Sequence, residues 1–246
     1  MLELAPGTPG RQLFREPVAA RRAPCFHPRE QFMTATRPLS AAHALASLRN
    51  GNDRFRDHAG SLNGPASSER REALTESQSP NAIVLSCSDS RVPSELVFDC
   101  GLGDLFVVRV AGNVCAPSLV GSIEFAASTF GTELVVVMGH TNCGAVSATI
   151  DALSKIAQGE LSENIRDIVE RISPAVRPLL DRGIEPIELL HAATRANVLH
   201  TVDHLRNGSR LLERLIGEGK LVVVGAEYSL MTGAVDFFDV PKQLIG

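Results

Sequence analysis

The chain has 246 residues, with 24 Lys and Arg against 28 Asp and Glu, a net charge of -4 and a pI of about 6.0. That length suits one substantial domain with a tail better than two compact domains, and the acidic balance excludes the basic footprint of a nucleic-acid partner. No window approaches the roughly 20 apolar residues of a membrane-spanning helix, and the odd number of cysteines, 5, argues against a disulfide framework and for a reducing, cytoplasmic setting.

Residues 1–32 carry Arg11, Arg15, Arg21, Arg22 and Arg29 among Pro and Gly, without the apolar stretch of a secretory signal. They read as a disordered leader, or as sequence upstream of a true start at Met33. The arginines also suit an organellar address, although Ser is scarce and acidic residues are present. Residues 33–246 form the single domain. Within it, Ser40 caps a predicted helix that closes near Gly51, and residues 57–80 read as polar loop.

Four continuous apolar runs follow: Ala82–Leu85, Leu105–Val108, Leu134–Met138 and Leu221–Val224. Continuous rather than alternating apolar character marks strands of a parallel sheet buried on both faces. Helical patterns separate them. One is capped by Ser118 and stopped by Gly131, and one begins at Cys143 or Gly144 and runs towards Gly159. Others occupy about 162–182, 185–207 and 209–217. Alternating strands and helices predict an α/β fold with a central, mostly parallel sheet flanked by helices.

In such sheets ligands collect beyond the carboxyl ends of the strands. Cys87, in Cys87-Ser88-Asp89-Ser90-Arg91, follows the first strand directly, and His140-Thr141-Asn142-Cys143-Gly144 follows the third. Zinc takes thiolate and imidazole donors, and its catalytic sites keep three protein ligands plus one open position. Cys87, His140 and Cys143 are therefore candidate ligands of one Zn2+. Asp89 stands two residues from Arg91, close enough for a guanidinium to pin the carboxylate. Cys100 and Cys115 read as small buried hydrophobes.

These two motifs resemble the β-class carbonic anhydrases, and so do Gly101–Arg109, Ala111-Gly112-Asn113, Ser122–Phe125 and Gly225–Tyr228. The resemblance covers roughly Ala41 to Phe238. It implies a zinc enzyme that converts carbon dioxide and water to bicarbonate and a proton through attack of zinc-bound hydroxide. Cys87, His140 and Cys143 would hold the metal, and Asp89 and Arg91 would form the catalytic dyad. In a closed, inactive state Asp89 would itself take the open zinc position. Gln78 and the backbone N–H of Gly144 would hold substrate oxygens, and Phe106 and Phe125 would wall an apolar pocket in the manner of plant-like members. Position 125 is Tyr in many of them, and Ala111 stands where some have Val. The resemblance further implies a homodimer or homotetramer, with the N-terminal helix packed on a partner subunit and the pocket built across the interface.

Two alternatives share the ligands: a carbon disulfide or carbonyl sulfide hydrolase, and a non-catalytic zinc sensor or scaffold. The chain contains no Trp, which argues against the allosteric bacterial subgroup, whose regulatory bicarbonate site uses one. His200 and His204 have metal-ligand spacing on a helix but lack the Glu of a zincin, and they read as surface residues. Gly101-Leu102-Gly103 is a turn before a strand rather than a dinucleotide fingerprint.

Overall fold

The computed structural model describes residues 37–60, 67–154 and 161–244. The leader, the predicted start at Met33 and the stretch towards Gly159 lie outside the described residues. Thirteen elements follow in chain order: α1 (Ala41–Arg56), α2 (Ser68–Ala73), β1 (Ala82–Ser86), α3 (Ser94–Val97), β2 (Leu105–Arg109), α4 (Pro117–Thr129), β3 (Leu134–His140), α5 (Gly144–Leu153), α6 (Glu163–Leu180), α7 (Pro186–Asn207), α8 (Arg210–Gly217), β4 (Val222–Tyr228) and β5 (Val235–Phe238).

The strands form one sheet in the order β2-β1-β3-β4-β5, parallel except for β5, which runs antiparallel to β4. Central position explains the continuous apolar runs. β1 and β3 are buried at every residue. On one face, Val84, Val136, Met138 and Val224 meet Ala44, Leu45 and Leu48 of α1. On the other, Ile83, Leu85, Val135, Val137 and Val223 meet Ile123 of α4 and Val198, Val202 and Leu205 of α7. Each such aliphatic side chain contributes roughly 1.5–3 kcal/mol on burial.

Several sequence expectations need correction. Ser40 does cap α1, its hydroxyl accepting from the N–H of His43, but Gly51 does not end the helix. It lies inside α1 where a Cβ would come within 1.9 Å of the Phe98 carbonyl oxygen, so this glycine permits a close helix crossing. Ser118 is not the cap of α4. Ala116 precedes the helix and Pro117, whose missing N–H is no loss there, opens it. The presumed loop 57–80 contains α2, and α3 and β5 were not anticipated. β5 is held partly by Asn52, whose buried amide donates to the carbonyls of Val97 and Gly233 and accepts from the N–H of Val235.

The inner side of α1 packs on its own sheet, while Ala42, His43, Ala46 and Arg49 are exposed. Among the described residues no helix is long and apolar enough to cross a membrane.

The contact at Gly51 yields a direct test. Gly51→Ala must push α1 away from Phe98 and is expected to destabilise the fold by about 3 kcal/mol, read as a lower urea midpoint. An unchanged midpoint would refute the close crossing.

Candidate metal centre

Parallel pairing of β1 with β3 brings the residues after their carboxyl ends together. The ladder runs from Ile83↔Val135 to Ser86↔Met138, so Cys87 and His140 emerge side by side at one edge. Cys143 follows through a tight turn with Asn142 in the left-handed region (φ 56), and stands as the N-cap of α5. The ligand atoms of Cys87, His140 and Cys143 all lie within 4.8 Å of one another, and all three residues are buried.

The donor set fits a zinc ion. His140 Nδ1 lies 2.9 Å from the Thr141 carbonyl oxygen, which places the ring proton on Nδ1. Nε2 is then a bare lone pair. It is buried and has no hydrogen-bond partner among the described residues, an arrangement that disfavours a merely structural histidine. Both sulfurs sit in a dry cluster with Val114, Val146, Ile172, Val176 and Ala193.

Electrostatics point the same way. The S–H of Cys143 lowers the pKa of the Cys87 thiol against the effect of burial, with help from His140 and from the N–H groups of Gly112 and Asp89. Cys143 is pushed up by its bond to Cys87 and by burial. Two adjacent thiolates in a dry pocket thus oppose each other, and a dication removes the conflict by replacing the shared proton. By contrast, the thiols of Cys100 and Cys115 are both pushed up to about 12, chiefly by burial.

Asp89 stands at the rim of the cluster. Its Oδ1 accepts from the Arg91 N–H at 3.0 Å and from Arg91 Nε at 2.9 Å, while Oδ2 accepts from Arg91 Nη2 at 2.7 Å. The same Oδ2 is 3.8 Å from His140 Nε2. The carboxylate is therefore clamped on Arg91 and still faces His140 Nε2. The Arg91 side chain beside Asp89 holds its carboxyl well below the usual carboxylate range.

Sequence reasoning assigned no role to two supports of this loop. Arg109, level with Ser86 across the β1–β2 ladder, donates to the carbonyls of Cys87 at 3.1 Å and Asp89 at 2.6 Å. The N–H of Gly112 points at Cys87 Sγ at 3.4 Å. Ala-Gly-Asn after a strand carried the signal for the second, since Gly and Asn tolerate the left-handed backbone that Gly112 (φ 69) and Asn113 (φ 45) adopt.

The other candidate residues divide. Gly144 is the first residue of α5, directly after Cys143. Gln78, Phe106 and Phe125 are not brought to the cluster within one chain. Gln78 precedes β1 and is exposed in a cleft of about 490 Å³ lined by Arg71, Leu74, Leu102 and Gly103. β1 is five residues long, so its end residues stand about 13 Å apart at the usual rise, with Gln78 and Cys87 beyond them on opposite sides. Phe106 is the second residue of β2, near that same amino end. Its ring centroid is 6.2 Å from Phe130, which meets Phe125 edge to face at 5.6 Å. Phe125 is exposed at the surface.

Residues 82–235 match the family model described as carbonic anhydrase. A carbonic anhydrase of Mycolicibacterium smegmatis is 40% identical over 195 residues, covering 78% of this chain and 91% of the relative. Carbonic anhydrase 2 of Mycobacterium tuberculosis is 40% identical over 203 residues, covering 82% and 93%. Among solved structures, the β-carbonic anhydrase CcaA superposes with a TM-score of 0.62 at 26% identity, over 79% of this chain and 95% of that one. With both motifs gathered at one sheet edge, the chain belongs to the β-class carbonic anhydrase family.

Proposed function

We propose that this protein is a zinc-dependent carbonic anhydrase that hydrates carbon dioxide reversibly to bicarbonate and a proton. The observation that carries the reading is the buried, unpartnered His140 Nε2 facing two cysteine sulfurs, with a clamped Asp89 carboxylate at its edge. Cys87, His140 and Cys143 would hold one Zn2+. Bound zinc supplies a Lewis acid that lets water ionise near neutral pH and attack an electrophilic carbon.

The chain's own residues do the rest. Arg91 keeps Asp89 ionised and fixes its direction, and a fixed acceptor orients the nucleophile by accepting its hydrogen, a positioning effect. Gly144 opens α5, and its helix-terminal N–H would receive a developing negative oxygen. With both carboxylate oxygens held by Arg91, Asp89 is kept off the open metal position. The closed, inactive state would require breaking that clamp.

Gln78, Phe106 and Phe125 enter this reading through assembly. We place them in the pocket of a second subunit's metal, in a homodimer or a homotetramer. Their position at the far end of the sheet from their own Cys87 supports this, since they cannot line that site within one chain. A tetrameric β-carbonic anhydrase of Sordaria macrospora has the same fold, with a TM-score of 0.62 at 20% identity over 80% of this chain and 96% of that one. A reducing cytoplasm suits the unbridged Cys87 and Cys143.

Stopped-flow hydration together with zinc analysis tests the reading. Cys143→Ser is expected to lose both zinc and rate, whereas Asp89→Ala retains zinc and loses about 100-fold in kcat. A zinc-loaded protein with no hydration, or one that turns over carbon disulfide faster, would defeat it. Shared sites predict that Cys143→Ser and Gln78→Ala subunits, each inactive alone, regain partial activity when mixed. No recovery after demonstrated subunit exchange would rule out the shared pocket.

The clamp has a pH signature. A carboxyl lowered in the folded state adds stability that is fully present above its unfolded pKa, about 4. That stability is lost as pH falls through the lower folded value. The Asp89 carboxyl resonance is expected to remain in its ionised position below pH 4, and Arg91→Ala should move its midpoint up towards about 4. An unmoved midpoint in the variant would show that Arg91 is not the cause.

A further inference from the structure

We infer that Asn197 and Thr201, on the buried face of α7, are positioning residues for the metal ligand Cys87, acting through the Gly112-Asn113 turn. The inference rests on the zinc reading above. Neither residue touches the cluster. Asn197 Nδ2 donates to the Gly112 carbonyl oxygen at 2.7 Å, and Thr201 Oγ1 donates to the Asn113 carbonyl oxygen at 3.2 Å. The N–H of that same Gly112 is the one aimed at Cys87 Sγ.

The turn closes on itself through one backbone bond, from the Asn113 N–H to the Val110 carbonyl oxygen, which leaves its own two carbonyls to find partners elsewhere. Gly112 and Asn113 both adopt left-handed backbone, at φ 69 and 45, which glycine and asparagine tolerate without being confined to it. A side chain at position 112 would meet Ile172 Cδ1 at 2.7 Å, so the turn lies flat against α6. Its two carbonyls point the other way, into α7. There Asn197 and Thr201, four residues apart and 1% and 2% exposed, stand among Ala193, Val198, Val202 and Leu205.

Packing alone would have favoured apolar residues at both positions. The two amides are retained at a penalty, since Asn197 Oδ1 and Asn113 Nδ2 are both buried without a hydrogen-bond partner among the described residues. What the pair does is pin both carbonyls of the turn, and through the backbone of Gly112 it restrains the N–H of the preceding peptide unit, the one aimed at Cys87 Sγ. A hydrogen bond to a ligating thiolate orients the sulfur and withdraws charge from it, and such outer partners typically govern metal affinity by 10- to 100-fold.

The test uses the full-length protein loaded with Co2+, whose thiolate-to-metal charge-transfer band reports sulfur electron density, together with chelator competition for Zn2+. Asn197→Ala is expected to shift the band to lower energy, because the sulfur becomes more electron-rich, and to weaken zinc retention about 10-fold or more. Thr201→Val should act in the same direction, and Thr201→Ser, which keeps the hydroxyl, should restore both readings. A role in packing alone would lower the melting temperature and leave the band in place, which would overturn the inference. Should Asn197→Ala fail to fold, the Thr201→Val and Thr201→Ser pair decides: equal bands refute it, and loss followed by rescue sustains it. If the unaltered protein took up no cobalt, the zinc reading itself would fall, and this inference with it.

Discussion

Two sulfurs and an imidazole nitrogen, buried within 4.8 Å of one another, are the constraint to which the rest of the structure answers. Without a cation the arrangement is electrostatically awkward, because one thiol can ionise only at the expense of the other. A chain that holds such a group together must have rigid ends on which to mount it. Here those ends are β1 and β3, the two strands buried on both faces. Side chains projecting from them inherit the positional precision of the core.

Rigidity at the strand ends is extended into the loops by hydrogen bonds rather than by packing. Val110 donates to the Ser86 carbonyl and Ser88 to that of Val110, prolonging the β1–β2 pairing past the end of β1. Arg109 ties down the carbonyls of Cys87 and Asp89, and the Asp89 side chain is in turn fixed by Arg91. Arg91 is more than half exposed, so this ion pair adds little to global stability. Its effect is local and directional. It holds one carboxylate in one protonation state and one orientation beside His140 Nε2.

Much of this was legible in the sequence where a residue's environment is simple. Val84, Leu85, Val136 and Val137 are apolar because both faces of their strands are covered, and so the runs stand out. β5 did not, since Val235–Phe238 is a short edge strand with mixed burial and no buried-on-both-sides signature. Gly51 was read as a stop because a glycine in a helix has two explanations, and only the tertiary contact with Phe98 selects between them. Cys87, His140 and Cys143 were legible as ligands from their chemistry and their position after strands. Arg109, Asn197 and Thr201 were not, because a side chain that hydrogen-bonds distant backbone carries no local pattern of its own. The assignments of Gln78, Phe106 and Phe125 came from resemblance, and their distance from the cluster within one chain was invisible before the sheet was seen.

That distance bears on how the protein works. Parallel strands give the sheet two chemically distinct ends, and this chain puts its Cys-His-Cys cluster at the carboxyl end and its Gln78 cleft and the Phe106 ring at the amino end. A polypeptide cannot fold one end of a sheet onto the other. On the proposed reading, two copies complete each other's pockets, which makes association a condition of substrate binding while leaving metal binding a property of the single chain. Folding, metal loading and assembly would then be separable steps: the core sets the ligands, the cation relieves their mutual repulsion, and only the second subunit supplies the apolar wall that holds carbon dioxide.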